Sequence, residues 1–151
     1  MESLYTILAV EWLRGHNCSM QAGYSGTPLP KKLGIKPRSR IRLHNAPTGF
    51  KAVLGELPTG AQFVDDHFDV AIAFCTEVDH IESSLLALRS GLDVCGGIWL
   101  ALPKKASGVV TDCNDGVVRA IGLSTGMVDN KVCAVDETWS ALRFVIRVKD
   151  R

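Results

Sequence analysis

The sequence has no apolar run near the length of about 20 residues that crosses a bilayer. A short apolar stretch at residues 4–10 follows Met1 and Glu2 rather than basic residues, and no small-residue cleavage site follows it. We therefore expect neither a membrane span nor a signal peptide. The sequence predicts a cytoplasmic protein without a membrane partner.

Closely spaced cysteines are also missing. The five cysteines, Cys18, Cys75, Cys95, Cys113 and Cys133, are never closer than 18 residues, which excludes a C-x-x-C metal site. We interpret them as buried thiols of a reducing compartment, and we predict no metal site. The alternative is a catalytic thiol, for which Cys75 at the end of a strand is the candidate, although no base can be placed beside it.

Neither positive nor negative charge is in large excess. The chain has 17 Lys and Arg against 16 Asp and Glu, a net charge of +1. A broad nucleic-acid-binding surface needs a larger basic excess, so nucleic acid is not an expected partner. Spacing also shows no P-loop and no Ser-His-Asp arrangement.

Continuous apolar runs are present, and they predict buried strands. Residues 98–102 follow two glycines and end at Pro103, and residues 69–75 form a second such run. Strands alternating with helices predict a three-layer, Rossmann-like α/β domain with a mostly parallel sheet of about six strands and a C-terminal antiparallel hairpin. We assign this domain to residues 20–151 and interpret residues 1–19 as an extension, either disordered or a short helix.

The predicted elements follow from turn signals and periodicity. Strands are expected at 40–45, 61–64, 69–75, 98–102, 131–135 and 141–148, and helices at 28–33, 50–54, 77–91 and after a cap at Thr111, Asp112 or Asn114. Gly122 and Gly126 are expected to break that last helix, Asp129-Asn130 to form a turn, and residues 136–140 to form the hairpin turn.

Three segments carry a specific resemblance. Residues 22–34 (AGYSGTPLPKKLG), 99–108 (WLALPKKASG) and 128–140 (VDNKVCAVDETWS) resemble a bacterial family known as domain of unknown function 3052. The resemblance covers about residues 20–151. It implies no activity, because the family has none assigned.

A broader resemblance is to the class I methyltransferase fold. Residues 68–73 (FDVAIA) are similar to that fold's fourth strand, and residues 92–100 (LDVCGGIWL) to the turn and strand after its next helix. The glycine-rich loop of S-adenosylmethionine enzymes is absent, since residues 44–50 read HNAPTGF. Asp65 lies 20 residues after Asn45, the spacing at which an acid of a Rossmann-type fold meets a ribose hydroxyl.

The predicted topology brings polar residues to one edge of the sheet. Ligands of open α/β sheets bind beyond the carboxyl ends of the parallel strands. If strand five is parallel to the others, this rule gathers the candidate ligand-binding residues Asn45, Asp65, Thr76, Lys104, Lys105, Ser107, Asp136 and Trp139. The two lysines beside Ser107 are either a solvated loop or an anion site.

The absent glycine-rich loop decides between function classes. It favours a non-catalytic module with a methyltransferase-like fold and no cofactor, which binds a small anionic ligand or a protein. The alternative is a divergent transferase that uses a nucleotide-like cofactor such as S-adenosylmethionine, with Asp65 on its ribose. A third hypothesis is an interaction protein that uses the basic face of strand six.

Overall fold

Strands and helices alternate along the chain, as the sequence predicts. The computed structural model describes residues 27–151, so the interpretation of residues 1–19 lies outside the described residues. The elements are α1 (Leu29–Lys32), β1 (Arg40–His44), α2 (Phe50–Leu54), β2 (Gln62–Phe63), β3 (Phe68–Phe74), α3 (Ile81–Arg89), β4 (Leu92–Pro103), α4 (Asp115–Ser124), β5 (Met127–Ala134) and β6 (Trp139–Ile146). Within residues 27–151, no helix is both long enough and apolar enough to cross a membrane.

The six strands form one mixed sheet. Their order is β2-β1-β3-β4-β6-β5, and β1 to β4 pair in parallel. Strand β6 runs antiparallel to both of its neighbours, β4 and β5. It follows that β5 is parallel to β1–β4, and the predicted α/β class with a C-terminal antiparallel hairpin is confirmed.

Each face of the sheet buries its own apolar cluster. On the α3/α4 face, the i, i+4 and i+7 residues Ile81, Leu85 and Leu88 of α3 pack with the strands and with Val118 of α4. On the α1/α2 face, the cluster includes Leu33, Ile41, Phe50, Leu54 and Trp99. The central strands are covered on both sides, which is why β3 and β4 read as continuous apolar runs.

Strand β5 begins earlier than the sequence predicts. Asp129 and Asn130, expected to form a turn, lie inside the strand, and the turn is made by Thr125 and Gly126, whose φ is +89°. A β-bulge separates Asp129, which pairs with Phe144, from Lys131, which pairs with Arg143. The extra residue reverses the alternation, so Asp129 and Lys131 lie on opposite faces although they are two residues apart.

Helix α4 also differs from the prediction. Of the three candidate caps, Asn114 caps it, because its side chain accepts a hydrogen bond from the Val117 amide at 3.0 Å. Gly122 does not break the helix but lies within it, where a Cβ atom would overlap the ring of Phe144. Gly122 thus allows the helix to approach β6 closely.

This close approach predicts that Gly122→Ala destabilises the protein. Phe144 is fully buried and cannot move aside, so we expect overpacking to lower the free energy of unfolding by about 1–3 kcal/mol, despite the higher helix propensity of alanine. Gly116→Ala in the same helix is the control, because its Cβ would meet only Asn114 Oδ1 at 3.4 Å, and it should stabilise by about 0.5 kcal/mol. Urea unfolding followed by circular dichroism measures both. Equal effects of the two substitutions would contradict the close helix–strand contact.

Candidate functional site

The carboxyl ends of the parallel strands meet at one edge of the sheet. Strands β1, β3 and β4 end at His44, Phe74 and Pro103, and β5 ends at Ala134 on the same side. The predicted site requires that β5 run parallel to β1–β4, and it does. We call this region, formed by the residues that follow these strand ends and β2, the carboxyl edge.

The loop after β1 has an unusual backbone. Asn45 adopts a left-handed conformation with φ of +58°, and Gly49 does so with φ of +85°. Among the hydrogen bonds of the described residues, none uses the amides of Ala46, Thr48 or Gly49 as donors, whereas Phe50 donates to the Pro47 carbonyl at 3.1 Å. Three backbone N–H groups are therefore available at the end of the first parallel strand.

Asp65 follows β2 and lies beside β1. Its side chain is 97% exposed, and Arg42 Nη1 lies 3.4 Å from its Oδ1 atom. Arg42 Nε is buried and has no hydrogen-bond partner in the described part of the chain. An exposed ion pair of this length holds Asp65 weakly, so its carboxylate can accept hydrogen bonds from a ligand.

Thr76 lies where hydrogen bonds connect the loops that follow β3 and β4. Its carbonyl accepts a hydrogen bond from Thr111 Oγ1 at 2.6 Å, and Asp112 Oδ1 accepts one from the Val78 amide at 2.8 Å. Asp112 is thus not the helix cap. These contacts give the middle of the carboxyl edge a fixed backbone.

Cys75, the alternative nucleophile, has the surroundings of an inert thiol. Burial raises its pKa, and a hydrogen bond to Ser84 only partly opposes this effect. Ser84 Oγ also lies 3.3 Å from His44 Nε2, and burial, followed by the charge of Arg42, lowers the pKa of His44. A thiol with a raised pKa carries little thiolate near neutral pH, so this contact chain does not activate Cys75.

Basic residues gather where β4 and β5 end. Lys104 and Lys105 follow β4, and neither forms an ion pair within residues 27–151. The hydroxyl of Ser107 donates to the Lys104 carbonyl at 2.6 Å and accepts from the Val109 amide at 3.1 Å, so it shapes the loop. Lys32 of α1 joins them, since its Nζ donates to the Ala134 carbonyl at 3.2 Å.

Lys32 could not be placed in this cluster from the sequence, because 102 residues separate it from its hydrogen-bond partner, the Ala134 carbonyl. Burial raises the pKa of the Cys133 thiol to about 11, although the charges of Lys32 and Lys104 act in the opposite direction. Both ammonium groups thus lie near the end of β5. The only sequence signal was the Lys31-Lys32 pair in the short helix.

The β5–β6 turn contributes an aromatic side chain. Asp136 Oδ1 accepts hydrogen bonds from the amides of Thr138 and Trp139, both at 2.8 Å, so its carboxylate organises the turn. Trp139 opens β6 rather than lying in the turn as expected. Its ring meets Phe74 edge-on at 5.0 Å, and Phe74 meets Phe50 at 4.9 Å.

The predicted residues therefore fall into two groups along one edge. Asn45 and Asp65 lie at the β1–β2 half, and Lys104, Lys105 and Trp139 lie at the β4–β6 half. The side chains of Ser107 and Asp136 serve the loops that carry them. No three His, Cys, Asp or Glu side chains of the described residues are placed to hold a metal ion. The binding roles of all eight candidates stay predictions.

Comparison with known proteins gives structural neighbours only. No family model and no curated protein sequence matches the chain, so membership of domain of unknown function 3052 stays a prediction. The fold is similar to that of DhpI in complex with SAH, with a TM-score of 0.57 and 10% identity over 95% of this chain and 90% of that one. A SAM-dependent methyltransferase from Aquifex aeolicus has a TM-score of 0.57 and 11% identity over 91% and 98%. A ribosomal protein L11 methylase from Lactobacillus delbrueckii subsp. bulgaricus has a TM-score of 0.52 and 11% identity over 79% and 75%.

These neighbours correct the functional interpretation of the sequence. The absent glycine-rich loop favoured a non-catalytic binding module without a cofactor, and both parts of that interpretation are wrong. Two of the neighbours, one in complex with SAH and one described as SAM-dependent, share the fold over nine-tenths or more of both chains. The comparisons thus favour the alternative hypothesis of a transferase over the binding module. The chain has a methyltransferase-like fold.

Proposed function

We propose that this protein is a methyltransferase that binds S-adenosylmethionine at the β1–β2 half of the carboxyl edge. One observation carries the proposal: the likeness to the DhpI–SAH complex extends over 95% of this chain. This chain's own sheet closes with a C-terminal hairpin, in which antiparallel β6 lies between β4 and β5. SAH is what remains when S-adenosylmethionine has given up its methyl group.

The loop after β1 fits such a cofactor better than its sequence suggests. A glycine-rich loop supplies left-handed backbone conformations and unobstructed amides. Here Asn45 provides one left-handed residue, because asparagine tolerates that conformation, and Gly49 provides the second. The open amides of Ala46, Thr48 and Gly49 provide donors, so Pro47 removes one amide without closing the loop.

Asp65 supplies the acceptor that this site needs. Its carboxylate follows the second strand and is exposed to solvent. A carboxylate at this place in a Rossmann-type fold accepts hydrogen bonds from ribose hydroxyls. In the proposed function, Asp65 orients the cofactor through its ribose, and the loop at Asn45 contacts it through backbone groups.

The β4–β6 half of the edge suits the methyl acceptor. When bound, S-adenosylmethionine supplies an electrophilic methyl group. Lys32, Lys104 and Lys105 would attract an acceptor that carries negative charge, since they have no acidic partners among the described residues. Beside them, the partly buried ring of Trp139 packs edge-on against the buried ring of Phe74 and offers an apolar surface.

Calorimetric titration with SAH tests the proposal through Asp65→Asn. Loss of a charged hydrogen-bond acceptor should weaken SAH binding about 10- to 100-fold. Asp66→Asn is the matched control, because it removes the same charge from the neighbouring exposed residue and should leave the affinity within about twofold. No heat with wild-type protein at millimolar SAH would rule out the proposed function. Equal losses in the two variants would remove Asp65 from the site.

A further inference from the structure

A cleft opens on the other side of the molecule from the carboxyl edge. It lies on the α1/α2 face beside the amino ends of β1, β3 and β4, and its apolar wall includes Leu33, Val70 and Trp99. Its volume of about 410 Å³ falls within the range of small-molecule sites. The proposed cofactor site does not use any of these residues.

Positive charge dominates this cleft, which we call the amino-edge cleft. Lys36, Arg38, Lys131 and Arg143 line it, and none of them forms an ion pair within residues 27–151. Such an accumulation of unpaired cations is unfavourable because like charges repel, although Lys36, Arg38 and Lys131 are exposed and only Arg143 is partly buried.

The two carboxylates at the cleft are already engaged elsewhere. Asp69 accepts from the backbone amide of Arg40 at 2.9 Å and from its Nη2 at 3.0 Å, and this contact with Arg40 lowers the pKa of Asp69. Asp93 Oδ2 accepts from the Cys95 amide at 3.0 Å. Neither acid is bonded to Lys131 or Arg143, and the four lining cations outnumber the two carboxylates.

Gly97 leaves room for the side chain of Arg143. Its guanidinium lies over Gly97, where a Cβ atom would stand only 2.7 Å from the Arg143 Cζ atom. Its one hydrogen bond within the described residues runs from Nη1 to Asn130 Oδ1 and is long, at 3.5 Å. Most of its N–H donors are therefore unused in a half-buried position at the cleft.

Lys131 reaches the same space because of the bulge in β5. In a strand without a bulge, residues two apart share a face, so regular pairing would place Lys131 on the α3/α4 face with Asp129. Burial, followed by the charges of Arg143 and Lys36, lowers the pKa of Lys131. An anion between these groups would offset the repulsion between their positive charges and accept hydrogen bonds from the unused N–H donors.

We infer that the amino-edge cleft binds a small phosphorylated molecule through its phosphate group, held by Arg143 and Lys131. A guanidinium presents parallel N–H donors that match two phosphate oxygens, and an ammonium group adds a point charge. The two negative charges of a phosphate monoester offset two of the lining cations. The inference is independent of methyl transfer, because the cleft and the carboxyl edge are separate.

Calorimetric titration with inorganic pyrophosphate tests the inference in the full-length protein. We expect binding at submillimolar concentration in about 50 mM salt, and a loss of at least about tenfold in both Arg143→Met and Lys131→Met. Gly97→Ala should also weaken binding, because it displaces the guanidinium without removing charge. Circular dichroism verifies that each variant is folded.

Lys149→Met is the matched control, since it removes one positive charge from the exposed C-terminal turn outside the cleft. It should leave pyrophosphate affinity within about twofold. An equal loss in Lys149→Met and Lys131→Met would show attraction by general surface charge and overturn the inference. Absence of binding at millimolar pyrophosphate would also overturn it, whereas SAH titration of the same samples reports separately on the proposed function.

Discussion

Trp99→Ala is expected to lower the free energy of unfolding by about 3–5 kcal/mol, a large part of the stability of a domain this size. Trp99 lies in the central strand β4 with 1% of its surface exposed. Its indole packs in the apolar cluster on the α1/α2 face, and its Nε1 donates a hydrogen bond to the Leu33 carbonyl at 2.9 Å. The substitution therefore creates a large cavity and leaves a buried carbonyl without its donor.

Two further variants separate these contributions. Trp99→Phe retains most of the apolar volume but loses the hydrogen bond, so we expect a cost of about 1–3 kcal/mol. Trp139→Ala is the control for loss of an indole, because Trp139 is only partly buried at the sheet's carboxyl edge, and it should cost less than Trp99→Ala. Denaturant unfolding followed by far-ultraviolet circular dichroism measures all three. A cost for Trp139→Ala as large as that for Trp99→Ala would show that Trp99 is not the main packing residue of this face.

Arg119→Met should destabilise the protein by about 3 kcal/mol, because it leaves a carboxylate buried without its cation. Arg119 Nε lies 2.9 Å from Asp129 Oδ2, and the Asp129 side chain is only 6% exposed. The pair joins α4 to β5 on the α3/α4 face. Once the arginine is gone, the remaining charge must stay unpaired, take up a proton or open the structure to water.

The double variant Arg119→Met/Asp129→Leu tests this explanation. Replacing both partners removes the unpaired charge, so we expect stability to return to within about 1 kcal/mol of the wild type. The measurement is again the free energy of unfolding in urea. Additive losses from the two substitutions would show that the buried charge is not the cause, and that packing of the arginine stem matters more.

The central strands could be predicted because their sequences follow from burial alone. A strand covered on both faces needs apolar residues at every position, which is what residues 69–75 and 98–102 show. Asp129 and Gly122 were misread for a different reason. Each is a turn former by local preference, but Asp129 is paired with Arg119 of α4, and Gly122 leaves the space that the ring of Phe144 fills. Local preference does not reveal such partners.

The carboxyl edge could be predicted because it follows from strand order. The proposed cofactor site at this edge could not be predicted, since the sequence shows a missing glycine but not the backbone conformation that replaces it. Asn45 takes the left-handed conformation without being glycine. The position of Lys32 and the amino-edge cleft could not be predicted for a third reason, because they depend on contacts between residues far apart in the chain.

The bulge at Asn130 has a consequence for how the molecule meets other molecules. Strand β5 is eight residues long and lies at the margin of the sheet, with no strand beyond it among the described residues. A flat strand in that place would offer its free backbone groups to the strands of other chains and seed aggregates. The irregular ladder and the charged Lys131 make β5 a poor template for such pairing. The same irregularity that turns Lys131 toward the cleft thus disfavours pairing of other chains with this edge of the sheet.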